Sequence, residues 1–270
     1  MPDSGAIVLQ YPDLLIAACL VVAAGALSFV MRLRLERRLA VAAVRTTVQL
    51  LLVGYVLKWV FSLDRAYAVA GAALLMAAFA SRAAVRRPTR TFSGATGRAF
   101  LTLVFSGFLT TLTVTGVIVG VQPWHKAQYV IPLLGMVLGN GLTGLSLCMD
   151  HILETLSERR DEVEMELALG ATRWEAARGP LSEGIRRGMI PVINMMTVVG
   201  IVSLPGMMTG QILQGADPLD AVKYQIVVMF MLSAGTGLAS ILMALLIYRR
   251  LFNPRHQLRA ELIRKRRGPL

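Results

Sequence analysis

The chain has 270 residues, of which 55% are hydrophobic, and its mean hydropathy of +0.61 excludes an ordinary soluble globular domain. Its formal net charge of +12 would normally suggest a nucleic-acid partner. The basic residues are distributed otherwise, because 23 of the 28 Lys and Arg residues lie in 32–38, 82–98, 150–187 and 249–267. These segments alternate with gaps that carry little positive charge, as the positive-inside rule requires of a membrane protein. We therefore expect a lipid bilayer as a partner and no nucleic acid.

The apolar stretches predict seven membrane-spanning helices, since about 17–25 apolar residues cross a bilayer as a helix. They lie at about 14–31, 39–60, 66–85, 99–121, 127–149, 188–204 and 224–248. The first has no basic segment before it and is interpreted as a retained helix, not a signal peptide. The expected fold is an all-α polytopic membrane protein with a single permease domain over 1–270. Its N-terminus is expected outside and its basic tail, 249–270, in the cytoplasm.

The second span carries polar side chains in its first two turns. Arg45 and Gln49 are four residues apart and share one helix face. Two interpretations stay open: Arg45 reaches the inner headgroups, or this face meets a polar cavity or a partner helix. In the second case Asp150, at the inner end of the fifth span, is an available counter-charge.

The fifth span combines small residues with a buried amide. Gly135 and Gly139 have the spacing that lets two membrane helices approach closely. Asn140, near the middle of the span, must form a hydrogen bond inside the protein or face water. It is a candidate either for bonding between helices or for lining a substrate pathway.

The segment 150–187 is the one long charged insert between spans, and we expect it to continue the fifth span as a cytoplasmic helix. Its apolar residues fall mostly on one side, at spacings of 4, 7 and 4: Ile152, Leu156, Val163 and Leu167. Gly170 has the position of a glycine that ends a helix. Thr172 is then expected to cap a second short helix, 172–179, with Glu175 completing a capping box and Gly179-Pro180 breaking it. The two helices would form an elbow at the membrane face; a solvated charged connection is the alternative.

The segment 194–215 is also unusual for a membrane span. Pro205-Gly206 interrupts an apolar run, which predicts a partly re-entrant element on the outer side, at 205–215. Its polar and thioether side chains, with those of the other spans, are the candidate substrate pathway: Arg45, Gln49, Asn140, Asn194, Met195, Met196, Met207, Met208, Thr209 and Gln211. Thioethers are soft metal ligands, but methionine is also a common filler of apolar cores, so a metal site stays unknown.

The absent motifs exclude several classes of function. The chain has no GxxxxGK[ST] motif, so it has no P-loop for ATP, and it has neither HExxH nor GxSxG. His125, His151 and His256 are scattered, and Cys19 and Cys148 are interpreted as structural thiols. The span interiors lack acidic residues, which disfavours a proton-driven transporter. These features indicate a membrane component that another protein energises, and no enzyme.

A two-helix elbow without its own ATPase resembles the permease subunit of an ABC transporter. The elbow motif of such permeases is EAA-x-x-x-G, of which Glu164 and Gly170 match and the two alanines do not. A longer resemblance, over about 40–260, is to the FetB family of iron-export ABC permeases. The segments that carry it are RTTVQLLLVGYVL, PLLGMVLGNGLTGLSL, ELALGATRWEAA and PVINMMTVVGIVSLPGMMTGQILQGADPLDAVKYQIVVMF.

The resemblance implies a permease of the bacterial inner membrane that exports iron or a related metal. It implies a separate FetA-like ATPase, two copies of this chain, and ATP and magnesium bound by the ATPase with no cofactor here. The expected ATPase-coupling residues are Glu164, Glu166, Gly170, Ala171, Thr172, Arg173 and Trp174. A plant branch of the family is linked to aluminium tolerance, which leaves the substrate open. The alternatives are a permease for a non-metal solute, such as a sugar nucleotide or lipid-linked compound, and a membrane scaffold or sensor.

Overall fold

The structure is a computed structural model that describes residues 10–33, 35–63 and 65–265. The predicted basic loop at 32–38 therefore has position 34 outside the described residues. Residues 266–270 of the predicted tail, and the first nine residues of the predicted domain, are outside them as well.

The described chain is mainly helical. Its α-helices are α1 (Tyr11–Val30), α2 (Glu36–Leu63), α3 (Ala66–Arg86), α4 (Ala95–Leu112), α5 (Ala127–Glu158), α6 (Arg160–Ala168), α7 (Arg173–Val198), α8 (Gly206–Leu213) and α9 (Pro218–Leu251). A π-helical segment, Thr113–Ile118, continues α4. The prediction of all-α structure needs one addition, a two-stranded antiparallel sheet formed by β1 (Arg90–Phe92) and β2 (Ile263–Lys265).

Six helices of the described chain are long and apolar enough to cross a membrane, namely α1 to α5 and α9, the fourth with its π-helical continuation. The seventh predicted span, 188–204, falls at the end of α7 and is not among them. Its helix ends at Val198, and 199–205 is not helical. The prediction of a helix is confirmed for 188–198 and wrong for 199–204. The chain turns there, since the N–H groups of Val202 and Ser203 both bond to the carbonyl of Val198.

The chain divides into two compact units. The first contains residues up to 64 together with 210–216, and in it α1 packs against α2. Ser28, near the end of α1, fastens the connection between them. Its hydroxyl oxygen accepts from the backbone N–H of Leu35 at 3.0 Å and donates to the carboxylate of Glu36 at 3.3 Å. The second unit contains 65–209 and 217–270 and holds most of the buried residues.

In the second unit α5, α7 and α9 pack against one another, and α3 and α4 pack against α5. Gly188 of α7 lies where the three central helices come closest. A Cβ atom added there would stand 2.7 Å from the carbonyl oxygen of Gly144 on α5 and 2.7 Å from the Oγ of Ser240 on α9. The predicted close approach at Gly139 is not observed, because a Cβ atom at Gly139 would meet nothing within 4 Å.

The predicted break at Gly179-Pro180 is wrong, because α7 runs through Pro180 and Pro191 without interruption. A proline removes one backbone hydrogen bond from a helix interior. Here Ala177 and Leu181, on either side of Pro180 along the helix, are buried in the same core. Tertiary packing therefore keeps the helix continuous. The second half of the elbow and the following segment are both part of α7.

Candidate functional site

The elbow begins where α5 ends. Helix α5 extends nine residues past the predicted end of its span, to Glu158, as expected for a helix that continues out of the membrane. Arg159 interrupts it with non-helical backbone angles, and α6 begins at the next residue. The predicted single helix over 150–169 is thus two helices in sequence, with the turn between them at Arg159.

The bend between α6 and α7 lies at Gly170, as predicted. Gly170 has φ of +99°, a conformation that favours glycine because it has no Cβ atom. Its N–H bonds to the carbonyl of Leu167 at 3.2 Å, and the N–H of Ala171 bonds to the carbonyl of Glu166 at 3.0 Å. This pair of bonds is a Schellman motif, which satisfies the last carbonyl groups of α6 and redirects the chain sharply.

Helix α7 starts with the predicted capping box. The hydroxyl oxygen of Thr172 accepts from the N–H of Glu175 at 3.3 Å, while the Glu175 carboxylate accepts from the N–H and the hydroxyl of Thr172, each at 2.7 Å. The hydrogen bond from the backbone N–H of Thr172, and secondly the one from its hydroxyl, hold the pKa of the Glu175 carboxyl below its ordinary value. The start of α7 is therefore fixed by side chains within one turn.

One face of the elbow is buried, and its predicted apolar stripe is confirmed. Ile152, Leu156 and Val163 are fully or almost fully buried, and Leu167 packs against the same core. This core also contains Ala177 and residues of α9, so the elbow is a packed part of the second unit. A loosely solvated connection is excluded for the described elbow.

The opposite face exposes apolar side chains among charged ones. Met165 is 59% exposed, Leu169 is 82% exposed and Trp174 is 46% exposed. Glu166 is exposed as well, and the half-buried Glu164 pairs with Arg160 at 2.7 Å. Exposed apolar side chains outside the apolar spans are candidates for contact with a protein partner. The elbow is therefore a packed element that leaves some apolar side chains uncovered.

Contacts to the end of α9, which the sequence did not reveal, hold the first turn of α7. The indole of Trp174 meets the ring of Tyr248 edge to face, with 5.4 Å between ring centroids. The guanidinium of Arg173 lies over the same ring, 5.7 Å from its centroid. The backbone N–H of Arg173 bonds to Nδ1 of His256 at 2.9 Å. Two of the predicted coupling residues, Arg173 and Trp174, are therefore connected directly to α9.

A polar network attaches the α3–α4 connection to the far end of α5. The backbone N–H and the hydroxyl of Thr89 both donate to Asp150, at 2.8 and 3.0 Å. Arg90 pairs with Glu158 at 3.0 Å and with Glu154 at 3.6 Å. Asp150 is thus bonded to Thr89, which is a different role from the predicted counter-charge.

The candidate pathway residues are divided between the two units and lie on α2, α5, α7 and α8. Arg45 and Gln49 are exposed on α2 of the first unit, and Asn194 is exposed on α7. The side-chain amide of Asn140 donates to the carbonyl of Met136 in its own helix, at 3.0 Å. The hydroxyl of Thr209 donates to the carbonyl oxygens of Leu204 and Pro205, at the start of α8. Gln211 is half-buried, and Met208 is buried.

Seven methionines come together in a second apolar cluster of the second unit. Three of them were candidate pathway residues: Met195, Met196 and Met207. The structure adds Met136 from α5, Met189 from α7, and Met229 and Met231 from α9. The described residues contain no group of three or more His, Cys, Asp or Glu side chains that could hold a metal ion. Any ion that passes through this region would meet thioethers and hydroxyls, not carboxylates.

Buried polar atoms on α4 and α9 were missed by the sequence reasoning. Within the described chain no hydrogen-bond partner is found for the side-chain oxygens of Thr102, Thr111, Gln225, Thr236 and Ser240, all of which are buried. Buried polar atoms in an apolar bundle are costly unless something polar meets them. The periodic Thr and Ser residues of α4 were the available sequence signal. These buried side chains are stronger candidates for a polar pathway than the exposed Arg45 and Gln49.

Comparisons with known proteins match nearly the whole chain. The sequence profile of UPF0014, described as an uncharacterised protein family, matches residues 11–252. The chain is 38% identical to a UPF0014 membrane protein of Synechocystis sp. over 84% of this chain and 87% of that protein. It is 34% identical to the "Probable iron export permease protein FetB" of Escherichia coli, over 94% and 96% of the two chains. It is 32% identical to the "Protein ALUMINUM SENSITIVE 3" of Arabidopsis thaliana, over 91% and 89%. No solved structure matches it.

Proposed function

The chain belongs to the UPF0014 family of membrane proteins, and from that premise we propose that it is the membrane-spanning permease subunit of an ABC transporter that exports iron or a related metal. The observation that carries the proposal is the elbow. It is a rigid, capped two-helix element with an exposed apolar surface outside the apolar spans, and it leads without a break into the central bundle. Such an element suits a permease that is moved by a separate ATPase and hydrolyses no ATP itself.

The proposed topology has seven crossings, one of them supplied by the second half of α7 together with the non-helical segment 199–205 that follows it. The charged residues of α7, which include Glu183, Arg186 and Arg187, all precede Gly188, and the rest of the helix is apolar apart from Asn194 and Thr197. A seventh crossing places the four basic segments on one side of the membrane, which the positive-inside rule favours for the cytoplasm. The N-terminus is then outside, and the elbow and the C-terminus are cytoplasmic. The membrane is the inner membrane of a bacterium.

The proposed mechanism transmits motion through helix contacts. A FetA-like ATPase, holding ATP and magnesium, docks on Met165, Leu169 and Trp174 and moves the first turn of α7 as it closes. Because α7 packs against both α5 and α9, a displacement at Trp174 reaches the bundle core. The ATPase can shift the bundle only if it binds two membrane states with different affinity. ABC ATPases act in pairs, so two copies of this chain are expected in the membrane.

The proposed substrate is a metal cation, supported by the relative named as a probable iron export permease. The methionine cluster and the buried hydroxyls of α4 and α9 offer a path without fixed negative charge. A cation would be held weakly there, because neither thioethers nor neutral hydroxyls neutralise its charge. Weak binding suits a path from which the ion must also leave.

The test is transport in sealed vesicles that contain this chain and its ATPase, loaded in turn with iron(II), aluminium, manganese, zinc and copper(I). The proposal expects ATP-dependent movement of iron or a related metal, and none when the catalytic glutamate of the ATPase is changed to Gln. If ATP is hydrolysed but no metal moves, the substrate is another small solute. If the chain neither stimulates hydrolysis nor moves any metal, it is a scaffold or sensor and the proposal is wrong.

A further inference from the structure

The chain after α9 folds back onto the elbow. We name residues 252–265 the return segment; it includes a short 3₁₀ turn, Ala260–Leu262, and β2. Phe252 and Leu258 are buried in the core that also holds Val163 of the elbow. Strand β2 pairs with β1, so the far end of the segment is held as well. The return segment is therefore an ordered part of the elbow region.

Its most specific contact is at the start of α7. The first N–H groups of a helix have no partner inside the helix. At α7 the capping box uses the N–H groups of Thr172 and Glu175, and Nδ1 of His256 accepts the N–H of Arg173 at 2.9 Å. One residue of the return segment thus adds a bond to the cap of the helix that is expected to meet the ATPase.

The remaining contacts link the same turn to α9. Trp174 and Arg173 both lie on the ring of Tyr248, and that ring stacks in turn on Phe252, with 5.7 Å between centroids. The return segment and α6 also line an open pocket of about 540 Å³, bordered by Glu164, Asn253, His256 and Glu261 among others. The first turn of α7 is thus held from both the α9 side and the return-segment side.

We propose that the return segment positions the coupling turn of α7 for the ATPase, and that His256 is the positioning residue. The proposal rests on the proposed ATPase coupling and deepens it. The first turn of α7 is the N-terminal end of a continuous helix, next to the bend at Gly170, so a push on Trp174 could distort this turn instead of moving the whole helix. The bond from Arg173 to His256 opposes that distortion, because the return segment is fixed to the core through Phe252 and Leu258. A push is then transmitted along α7 and through Tyr248 into α9.

The test uses the full chain in lipid nanodiscs with its purified ATPase. Two quantities are measured: the maximal stimulation of ATP hydrolysis, and the ATPase concentration that gives half of it. His256→Ala removes the acceptor. His256→Asn restores it, since the amide oxygen of Asn occupies the place of Nδ1. Arg255→Ala, a change to the exposed neighbour, is the matched control.

Substitutions at Arg173 isolate the donor. Arg173→Pro removes the N–H, and proline is well tolerated at the first position of a helix. Thr172 already has the extended conformation that precedes proline, with φ of −69° and ψ of 156°. Arg173→Ala keeps the N–H and removes only the guanidinium over Tyr248. The difference between these two variants is therefore the effect of the hydrogen bond.

We expect His256→Ala to lower maximal stimulation about two-fold to ten-fold, the range for one hydrogen bond of ordinary strength. The half-maximal ATPase concentration should stay within about two-fold, and His256→Asn and Arg255→Ala should behave as the wild type. Arg173→Pro should lose more stimulation than Arg173→Ala, and adding His256→Ala to Arg173→Pro should cost nothing further. A wild-type level in His256→Ala, or full additivity in the double variant, overturns the role of His256. Failure of the wild-type chain to stimulate the ATPase overturns the coupling itself, which is a separate result.

Discussion

Replacing Gly188 by alanine should destabilise the bundle, because three helices meet at that residue. The added Cβ atom would lie 2.7 Å from the carbonyl oxygen of Gly144 and 2.7 Å from the Oγ of Ser240. Ordinary van der Waals contact begins at 3.4 Å, so each neighbour would have to retreat by the difference, 3.4 minus 2.7, or 0.7 Å. The Ser240 side chain can rotate, but the Gly144 oxygen is backbone, and helix α5 must move with it.

The expected cost follows from this geometry. Overpacking of a tight core costs about 1–3 kcal/mol, and the backbone contact to Gly144 puts this case in the upper part of that range, at about 2–3 kcal/mol. Alanine regains roughly 1 kcal/mol through its better helix propensity. A net loss of about 1–2 kcal/mol lowers the Tm of a chain of this size by roughly 2–8 °C. The assay is thermal unfolding of the purified protein in detergent, followed by near-UV circular dichroism.

Two companion variants make the result specific. Gly139→Ala lies in the neighbouring helix α5, where a Cβ atom would meet nothing within 4 Å, and it should leave the Tm unchanged or raise it. Ser240→Ala in the Gly188→Ala background removes one of the two close contacts and should recover part of the loss. If Gly188→Ala is as stable as the wild type, or if Gly139→Ala is equally destabilised, the close three-helix contact is refuted.

Two further predictions concern the elbow. Gly170→Ala places a Cβ atom at φ of +99°, which costs roughly 1–2 kcal/mol and should lower the Tm. Gly170→Asn should lower the Tm less, because Asn tolerates positive φ better than Ala. The lowered pKa of Glu175 means that its carboxylate stabilises the start of α7 above its ordinary pKa of 4.5, and that this contribution is lost as the pH falls through the lowered value. The fluorescence of Trp174, with the other two tryptophans changed to Phe, should change on acidification as this contribution is lost. In Glu175→Gln the fluorescence should be independent of pH over the same range. Fluorescence that stays constant with Glu175 present would contradict the stabilising role of its carboxylate.

The caps of the elbow could be predicted from sequence because capping is local. Gly170 ends a helix, and Thr172 with Glu175 begins one, within six residues of chain, so few other structures compete. The break at Pro180 was wrong for the opposite reason. A local rule disfavours proline in a helix, but burial of Ala177 and Leu181 against other helices outweighs it.

The contacts that join distant parts of the chain could not be predicted in this way. The bond from Arg173 to His256 joins residues 83 apart, and no periodicity or spacing records it. The contact at Gly188 did leave a signal, since Gly184 and Gly188 have the small-residue spacing of close-packed membrane helices. That signal lay beside Arg186 and Arg187, where the predicted elbow, 150–187, meets the predicted sixth span. The partnerless oxygens of Thr111 and Thr236 became apparent only when the helices were packed together.

The central claim, that the elbow couples an ATPase to the bundle, is tested most directly by the rate of ATP hydrolysis of the partner ATPase with and without this chain. Trp174 is the residue to change, because it lies on the exposed face of the elbow and also contacts Tyr248 of α9. If the elbow couples the ATPase to the bundle, the wild-type chain stimulates hydrolysis and Trp174→Glu abolishes most of the stimulation while the chain still inserts and folds. Full stimulation by a folded Trp174→Glu variant would contradict coupling through the elbow.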